Sequence, residues 1–285
     1  MFQELVGRIT LRENSEEIRS IVFVVMEYLF GISKTDILAG KMISVTPDDL
    51  LRLENYVTRI NASEPVQYLT GEAYFYGRRF FVDRSVLIPR PETELLIRAV
   101  LAWTDSAPTP QGMNLRILDV GTGSGCLPVT LQLELPSSKI YATDISADAL
   151  EVARKNAAMN RADVTFIQHD ILNEPVPVAD LAVVISNPPY VGQSEVTGMQ
   201  ENVLRYEPHS ALFVPDENPL VFYSAILLRT NGILSPHALV AMEINEKYGN
   251  EVADLFIQHG FEEVNILRDI DGKPRVVKGV KGTPR

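Results

Sequence analysis

The sequence contains little cysteine, few cationic side chains and no long apolar run. Its single cysteine, Cys126, excludes an internal disulfide and is typical of a reducing compartment. No apolar stretch approaches the roughly 20 residues that a membrane-spanning helix needs, and no basic stretch precedes an apolar one near the N-terminus. We therefore expect a cytoplasmic protein without a membrane span or a signal peptide.

The charge balance of the chain is acidic. Its 285 residues include 37 Asp and Glu but 26 Lys and Arg, which gives a formal net charge of −11. Direct binding to nucleic acid depends on cationic side chains that neutralise phosphates, so we do not expect it here. The four histidines show no metal-ligand spacing, and no metal site is expected. We further expect the protein to be a monomer.

Residues 1–72 are predicted to form a small helical domain that recognises the substrate. Ser15 is a candidate N-cap for a helix with apolar residues on one face. Thr46, followed by Pro47 and two acids, predicts the start of a second helix. The apolar positions of this second helix are Leu50, Leu53, Val57 and Ile60. Residues 73–90, with aromatic side chains on both sides of Gly77, are predicted to form a β-hairpin linker.

Residues 91–285 are predicted to form an α/β domain. Strand and helix patterns alternate from residue 115, which is typical of a Rossmann-like, mostly parallel sheet with helices on both faces. The last two of its seven predicted strands are joined by a short link, so a terminal antiparallel hairpin is expected. Residues 107–112 are predicted to form an exposed loop. The predicted strands are 117–120, 139–143, 164–168, 181–185, 238–244, 264–267 and 275–280.

A glycine-rich turn follows the first strand of this domain. Glycines allow positive φ angles and a close approach of the backbone to a ligand, and the next helix begins with free N–H groups. Such turns occur in nucleotide sites and in S-adenosylmethionine sites, and they also occur as purely structural turns. The residues of the turn are Gly121, Thr122, Gly123, Ser124 and Gly125.

Acidic residues follow the next two predicted strands. Asp144 is well placed to accept both ribose hydroxyls of an adenosine. Asp170 could accept from an adenine amino group, while Ile171 meets the ring; a helix cap or a solvated acid explains Asp170 equally well. The turn does not have the Gly-x-Gly-x-x-Gly spacing that is typical of a dinucleotide site, because Cys126 and Leu127 follow it.

The most informative motif is Asn187-Pro188-Pro189-Tyr190, which follows the apolar strand 181–185. The carboxyl ends of such strands are where open α/β sheets bind ligands. Two prolines remove two N–H donors and stiffen the loop, which then offers an amide side chain, carbonyls and an aromatic face. A loop of this kind can hold a planar –NH2 group. It has no evident role in hydride transfer, so S-adenosylmethionine is favoured over NAD.

Together these motifs resemble those of class I S-adenosylmethionine-dependent amino-methyltransferases. The wider pattern resembles the HemK/PrmC family, which methylates the glutamine of the Gly-Gly-Gln motif in peptide chain release factors. The resemblance covers nearly the whole chain from about residue 15. Its further supporting segments are 65–71, Phe75, Phe80, Leu87-Ile88-Pro89-Arg90-Pro91-Glu92-Thr93-Glu94, Tyr206-Glu207-Pro208 and Ala211-Leu212.

The resemblance implies a cofactor, a partner and a role for each motif. The cofactor would be S-adenosyl-L-methionine, and the protein substrate would be the Gly-Gly-Gln domain of release factors. Asn187, Pro188 and Tyr190 would be catalytic, and Pro189 would join them in binding the substrate. The residues expected to contact the cofactor are Gly121, Thr122, Gly123, Ser124, Gly125, Asp144, Asp170, Ile171 and Asn187. Residues 191–215 are expected to cover the substrate glutamine, with Glu207-Pro208 returning the chain to the core.

Three other functions remain open from the sequence. The same motif serves enzymes that methylate the amino group of adenine or guanine in DNA or RNA, although those normally need a basic groove or base flipping. A non-catalytic adaptor could retain the fold, and a dehydrogenase could share the glycine turn. The acidic charge weighs against methylation of nucleic acid, and the intact Asn-Pro-Pro-Tyr motif weighs against a non-catalytic adaptor. The spacing of the glycines weighs against a dehydrogenase.

Overall fold

The structure is a computed structural model and describes residues 1–11, 13–106 and 114–282. The loop predicted at 107–112 lies outside these residues. The helices of the described residues are α1 (Phe2–Arg8), α2 (Ser15–Phe30), α3 (Lys34–Leu38), α4 (Pro47–Asn61), α5 (Val66–Thr70), α6 (Glu94–Ser106), α7 (Cys126–Glu134), α8 (Ala147–Asn160), α9 (Glu201–Tyr206), α10 (Val221–Thr230) and α11 (Gly249–Gln258). None of these helices is long and apolar enough to cross a membrane.

The strands of the same described residues are β1 (Glu72–Phe75), β2 (Arg78–Phe81), β3 (Arg116–Val120), β4 (Lys139–Asp144), β5 (Val164–Gln168), β6 (Leu181–Ser186), β7 (Val191–Gly192), β8 (Phe213–Val214), β9 (Leu234–Glu243), β10 (Phe261–Arg268) and β11 (Pro274–Lys281). The chain divides into two compact units. The first comprises Met1–Glu72 and Met199–Tyr206, and the second comprises Ala73–Gly198 and the chain from Glu207 onwards.

The first unit is helical, and its helix starts are set by local side chains. Asn14 caps α2, since its Oδ1 accepts hydrogen bonds from the backbone N–H groups of Glu16 and Glu17 at 3.0 and 2.9 Å. The predicted cap, Ser15, is wrong by one position because it is already the first helical residue. The predicted start of α4 is confirmed: Thr46 and Asp49 form a reciprocal capping box.

The core of the first unit is built mainly from apolar residues of α1, α2, α4 and α5. Leu53, Val57 and Ile60 of α4 are buried as predicted, whereas Leu50 is 51% exposed. Leu50 lies in the first turn of α4, before the helix reaches the core. The buried apolar residues of this unit are Leu5, Ile9, Val22, Val25, Met26, Ile32, Leu53, Val57, Ile60, Val66 and Leu69.

The described part of the second unit contains a seven-stranded sheet in the order β10-β11-β9-β6-β3-β4-β5. β9, β6, β3, β4 and β5 pair in parallel, and β11 runs antiparallel to both of its neighbours. The mostly parallel sheet with a terminal antiparallel hairpin is therefore confirmed. Its helices cover both faces, which agrees with the alternation of strand and helix patterns.

Side chains of the central strands alternate between two apolar clusters, one on each face of the sheet. Ile117 of β3 belongs to the first cluster together with residues of α6 and α7, and its neighbour Leu118 belongs to the second together with residues of α10 and α11. This period of two leaves both faces of the sheet buried, as expected for a parallel sheet inside an α/β domain.

The predicted hairpin is formed by β1 and β2. Tyr76 and Gly77 both have positive φ, 49° and 72°, which is the backbone of a tight two-residue hairpin turn. From Ala73 onwards, the hairpin groups with the second unit. The reason is local: the Asn156 side chain of α8 accepts from the Phe81 N–H at 2.6 Å and donates to the Phe81 carbonyl at 2.8 Å.

Candidate active site

A cavity of about 290 Å³ opens at the carboxyl ends of β3, β4, β5 and β6, within the second unit. This is the edge at which an α/β sheet of this kind binds ligands. The wall combines the turns after these strands with the segment before α6 and the return of the chain after α9. The polar or motif residues that line the cavity include Arg90, Thr93, Gly121, Thr122, Gly123, Ser124, Asp144, His169, Asp170, Asn187, Pro188, Pro189 and Ser210.

The glycine turn between β3 and α7 has the backbone that the sequence predicts. Gly121, Gly123 and Gly125 have φ of 73°, 52° and 77°, a region that other residues rarely adopt. The N–H groups of Gly121 and Thr122 donate to the Thr143 carbonyl at 2.8 and 2.9 Å, which holds the turn against β4. The exposed backbone of the turn and the N-terminus of α7 are therefore presented to the cavity in a rigid form.

Gly125 has a different task from the other two glycines of the turn. It is not among the cavity-lining residues of the described chain. A Cβ atom at this position would lie 3.0 Å from the Ala153 Cβ and 3.1 Å from the Ala153 Cα. Gly125 thus lets α7 and α8 pack closely, which fixes the direction in which α7 leaves the turn.

Asp144 connects β4 to the glycine turn. Its Oδ2 accepts from the Gly123 N–H at 2.9 Å and its Oδ1 accepts from the Ser146 N–H at 2.9 Å. Burial raises the pKa of this carboxyl, and the backbone N–H groups that it accepts from oppose the rise. Each oxygen has a further lone pair, so the carboxylate can accept ligand hydroxyls while it braces the turn.

Asp119, inside β3, is fully buried. Neither of its carboxylate oxygens has a hydrogen-bond partner among the described residues. Burial raises the pKa of Asp119 to about 7, and the nearby Thr122 hydroxyl opposes the rise without meeting hydrogen-bond geometry. A buried carboxylate without a partner costs stability unless a bound group or a proton compensates it.

Asp170 and Ile171, after β5, both line the cavity. The Oδ1 of Asp170 accepts from the Leu172 N–H at 2.8 Å, and its Oδ2 accepts from Asn173 Nδ2 at 2.7 Å. The hydrogen bond from Asn173 lowers the pKa of Asp170. Asp170 therefore shapes its own turn as well as bordering the cavity, while the buried Ile171 adds an apolar wall.

The Asn-Pro-Pro-Tyr loop leaves β6 at the opposite side of the cavity, and both of its ends are anchored. Before the loop, the buried Ser186 hydroxyl donates to the Val120 carbonyl at 2.6 Å. After it, the Tyr190 N–H donates to the Leu212 carbonyl at 3.2 Å. Between these anchors, Asn187, Pro188 and Pro189 line the cavity.

Tyr190 is not part of the cavity wall in the described chain. Its ring packs against the apolar cluster that includes Tyr223 and Val240. Its hydroxyl donates to Glu243 Oε1 at 3.1 Å. Burial raises the pKa of Tyr190 well above its usual value, and the Glu243 carboxylate adds to the rise.

Two residues that the sequence did not single out complete the site. The Thr93 hydroxyl donates to Glu243 Oε2 at 2.6 Å, and Asn187 Nδ2 donates to Thr93 Oγ1 at 3.3 Å. Thr93 lies in the segment that carries the family resemblance, which was the available signal for it. Glu243, at the end of β9, lies inside the predicted strand 238–244, and no neighbouring residue in the chain marks it as part of a site.

The residues present fit S-adenosylmethionine. The glycine turn and the α7 N-terminus offer N–H groups, Asp144 offers acceptors for hydroxyls, and Asp119 is an unpaired buried carboxylate beside them. No group of three or more His, Cys, Asp or Glu suited to a metal ion occurs within residues 1–11, 13–106 and 114–282.

The fold and the cavity define a class I S-adenosylmethionine-dependent methyltransferase. A methyltransferase of Pyrococcus furiosus with a known crystal structure has the same fold: the TM-score is 0.52 at 18% identity, over 81% of this chain and 100% of that one. Residues 98–208 match the methyltransferase small domain, and residues 6–71 match the PrmC N-terminal domain.

Two curated relatives narrow the class to a family. The release factor glutamine methyltransferase of Flavobacterium psychrophilum is 35% identical over 93% of this chain and 92% of its own length. That of Bacteroides thetaiotaomicron is 38% identical over 92% of each chain. This chain belongs to the family of release factor glutamine methyltransferases.

Proposed function

We propose that this chain transfers a methyl group from S-adenosylmethionine to the side-chain amide nitrogen of the glutamine in the Gly-Gly-Gln motif of peptide chain release factors. The observation that carries the proposal is the shared cavity: Asn187 and Pro188 line one side of it, and the glycine turn with Asp144 lines the other. A donor site and a grip for a planar –NH2 group thus face the same space.

In this proposal the cofactor is held by residues on the turns after β3, β4 and β5. The backbone of Gly121–Ser124 meets its amino-acid part, Asp144 accepts its ribose hydroxyls, and Asp170 and Ile171 border its adenine. When bound, S-adenosylmethionine supplies a methyl group on a positively charged sulfur, which makes that methyl group electrophilic.

The acceptor grip is assigned to Asn187 and Pro188. An amide nitrogen is a poor nucleophile because its lone pair is delocalised into the carbonyl. Acceptance of its two hydrogens by Asn187 Oδ1 and the Pro188 carbonyl directs the lone pair and favours a pyramidal nitrogen. These hydrogen bonds strengthen as positive charge grows on the nitrogen, so they stabilise the transition state more than the ground state. The methylated nitrogen then loses a proton readily, and a dedicated general base is not required.

Tyr190 supports the grip from behind. The resemblance implies a catalytic role for Tyr190; its hydrogen bond to Glu243 and its packing in the core support a second role, in which it holds the loop. Pro189, which lines the cavity, offers an apolar surface to the acceptor side chain.

The first unit is assigned to recognition of the release factor, since its residues match the N-terminal domain model of this family. The division into a recognition domain at 1–72, a hairpin at 73–90 and a catalytic domain at 91–285 is part of the proposal, as are a monomeric state, a cytoplasmic location and the absence of direct nucleic-acid binding. The net charge of −11 supports the last of these. Both curated relatives are release factor enzymes, so methylation of adenine or guanine is not favoured.

The test is mass spectrometry of a release factor after incubation with enzyme and S-adenosylmethionine. We expect one added methyl group on the Gly-Gly-Gln glutamine, and a turnover that falls by ~10²-fold in Asn187→Ala with the cofactor affinity nearly unchanged. Asn265→Ala, on the exposed edge strand β10, is the matched control and should retain normal turnover. Near-normal turnover of Asn187→Ala would remove Asn187 from the grip, and methylation of nucleic acid in preference to a release factor would overturn the proposed substrate.

A further inference from the structure

We propose that Glu243 is a positioning residue that acts through Thr93 to set which end of the Asn187 amide faces the acceptor. The inference rests on the proposed function, because it concerns the orientation of the group that grips the substrate. The juxtaposition that carries it is a chain of hydrogen bonds across three elements: the turn before α6, the end of β9 and the loop after β6.

The chain is short and its inner members are buried. Thr93 is 3% exposed and Glu243 is 2% exposed. The Thr93 hydroxyl lies 2.6 Å from Glu243 Oε2, and Asn187 Nδ2 lies 3.3 Å from Thr93 Oγ1. The second carboxylate oxygen of Glu243 accepts from the Tyr190 hydroxyl at 3.1 Å. Both oxygens of Glu243 thus accept hydrogen bonds: one from Tyr190, which belongs to the Asn-Pro-Pro-Tyr loop, and one from Thr93, which contacts Asn187 of that loop.

The hydrogens in this chain can be arranged in one way when Glu243 is ionised. A carboxylate only accepts hydrogen bonds, so the single hydrogen of the Thr93 hydroxyl points to Glu243. Thr93 Oγ1 then has only lone pairs to offer to Asn187. The amide atom that faces Thr93 must therefore be the nitrogen, because the amide oxygen would meet another acceptor.

This arrangement of hydrogens determines which atom of the Asn187 amide faces the cavity. With its nitrogen held by Thr93, Asn187 keeps its oxygen free of this chain, and the substrate –NH2 group needs an acceptor there. If Asn187 turned round, it would present its own –NH2 group to that of the substrate, and no hydrogen bond could form. A buried polar group left in the wrong orientation loses the full value of its hydrogen bond.

Protonation of Glu243 would reverse the chain. A carboxylic acid can donate to Thr93, whose hydroxyl could then donate to the oxygen of a rotated Asn187. Burial raises the pKa of Glu243 to about 7, and Glu92 adds to the rise; the hydrogen bonds from Thr93 and Tyr190 and the charge of Arg275 oppose it. The buried Tyr223 hydroxyl also faces Glu243. We therefore expect turnover to fall as the pH drops below about 7.

The first experiment is a double-mutant cycle with mass-spectrometric turnover as the readout. Thr93→Val keeps the volume and removes the hydroxyl, and should lower kcat by ~10-fold with little change in cofactor affinity. Thr93→Ser restores the hydroxyl and should keep kcat within ~3-fold of the wild type. In an Asn187→Ala background, Thr93→Val should have no further effect, since there is no amide left to orient.

The outcomes separate the inference from the proposed function. If Thr93→Val lowers kcat by the same factor in the wild type and in Asn187→Ala, the role of Thr93 is merely structural and the inference is overturned. The effect of Asn187→Ala by itself still tests whether Asn187 binds the acceptor amide. Normal turnover of Asn187→Ala would overturn both. An unaltered kcat of Thr93→Val in the wild-type background would also overturn the inference.

A second measurement serves if Thr93→Val does not fold. Glu243→Gln can still accept from Thr93 through its oxygen and donate to the Tyr190 hydroxyl through its nitrogen, but it does not titrate. We expect it to retain most of the wild-type kcat at pH 8 and to lose the fall in kcat below pH ~7. An identical pH profile in the wild type and in Glu243→Gln would overturn the inference.

Discussion

Arg90 and Glu207 are 117 positions apart in the chain, and the Arg90 guanidinium donates to Glu207 Oε1 at 2.5 Å. The Glu207 side chain is 1% exposed and that of Arg90 is 34% exposed. Burial raises the pKa of Glu207, and the charge of Arg90 opposes the rise. The pair joins the segment before α6 to the point where the chain returns after α9. Arg90 and Pro208 both line the cavity, so the ion pair closes one side of its wall.

Removal of this pair should loosen the wall. Glu207→Gln keeps the volume and removes the charge partner of Arg90. Because burial raises the pKa of Glu207, its ionised form already costs stability at neutral pH, and Arg90 is partly exposed, so we expect the free energy of unfolding to change by ~1 kcal/mol or less. The kcat/KM for the release factor should fall by ~10-fold with the cofactor affinity unchanged. Denaturant unfolding and steady-state kinetics measure both effects.

The control for this prediction is Glu201→Gln. Glu201 pairs with Arg205 at 3.9 Å, and both side chains are more than half exposed. Exposed pairs contribute little to stability, so this variant should behave as the wild type. Indistinguishable behaviour of the two glutamine variants would show that the Arg90–Glu207 pair does not hold the wall.

Asp144 should determine cofactor affinity. Asp144→Ala removes acceptors for ribose hydroxyls and also the brace on the Gly123 N–H, so the Kd for S-adenosylmethionine should rise by ~10²-fold. Isothermal titration calorimetry measures the change, with the exposed Asp163→Ala as the matched control. An unaltered affinity would remove Asp144 from the cofactor site.

The contribution of Glu243 to the stability of the second unit should fall as the pH rises towards neutrality. Burial raises the pKa of Glu243 from 4.5 to about 7. The folded protein therefore holds a proton that the unfolded chain has lost, and the stability present below pH 4.5 is lost progressively up to pH ~7. At about 1.4 kcal/mol for each pH unit, the contribution of Glu243 amounts to ~3 kcal/mol.

Glu243→Gln tests this dependence because it stays neutral. The difference in free energy of unfolding between the variant and the wild type should favour the variant more at pH 8 than at pH 5. Denaturant unfolding followed by the fluorescence of Trp103 measures this difference. Trp103 is the one tryptophan of the chain and lies in α6 of the second unit. Glu251→Gln, at an exposed site of α11, should shift nothing. A difference between Glu243→Gln and the wild type that does not change with pH would contradict the prediction.

Local chemistry made much of the fold predictable. Four consecutive residues determine the start of α4, because the side chains of Thr46 and Asp49 each accept a hydrogen bond from the other residue's backbone N–H. The buried strands β3 and β6 are apolar runs bounded by polar turns, and the positive φ angles of Gly121 and Gly123 need glycine. The cofactor and acceptor motifs could be found because each lies in a few adjacent residues at the end of a strand.

Partners distant in the chain could not be predicted in the same way. Thr93 and Glu243 are 150 positions apart, and their contact depends on α6, which begins directly after Thr93, packing against β9. The packing role of Gly125 depends likewise on the approach of α8, and the inward direction of Tyr190 depends on a carboxylate at the end of β9.

By itself, the sequence determined the fold class, the positions of the turns and the chemistry offered at their tips, because these follow from hydrogen bonds and apolar periodicity over a few residues. The tertiary structure alone decided which end of Asn187 faces the cavity, which acid braces the Asn-Pro-Pro-Tyr loop and which ion pair closes the wall. Those choices depend on long-range packing, since a side chain's orientation is set by the buried groups that it meets and not by its neighbours in the chain.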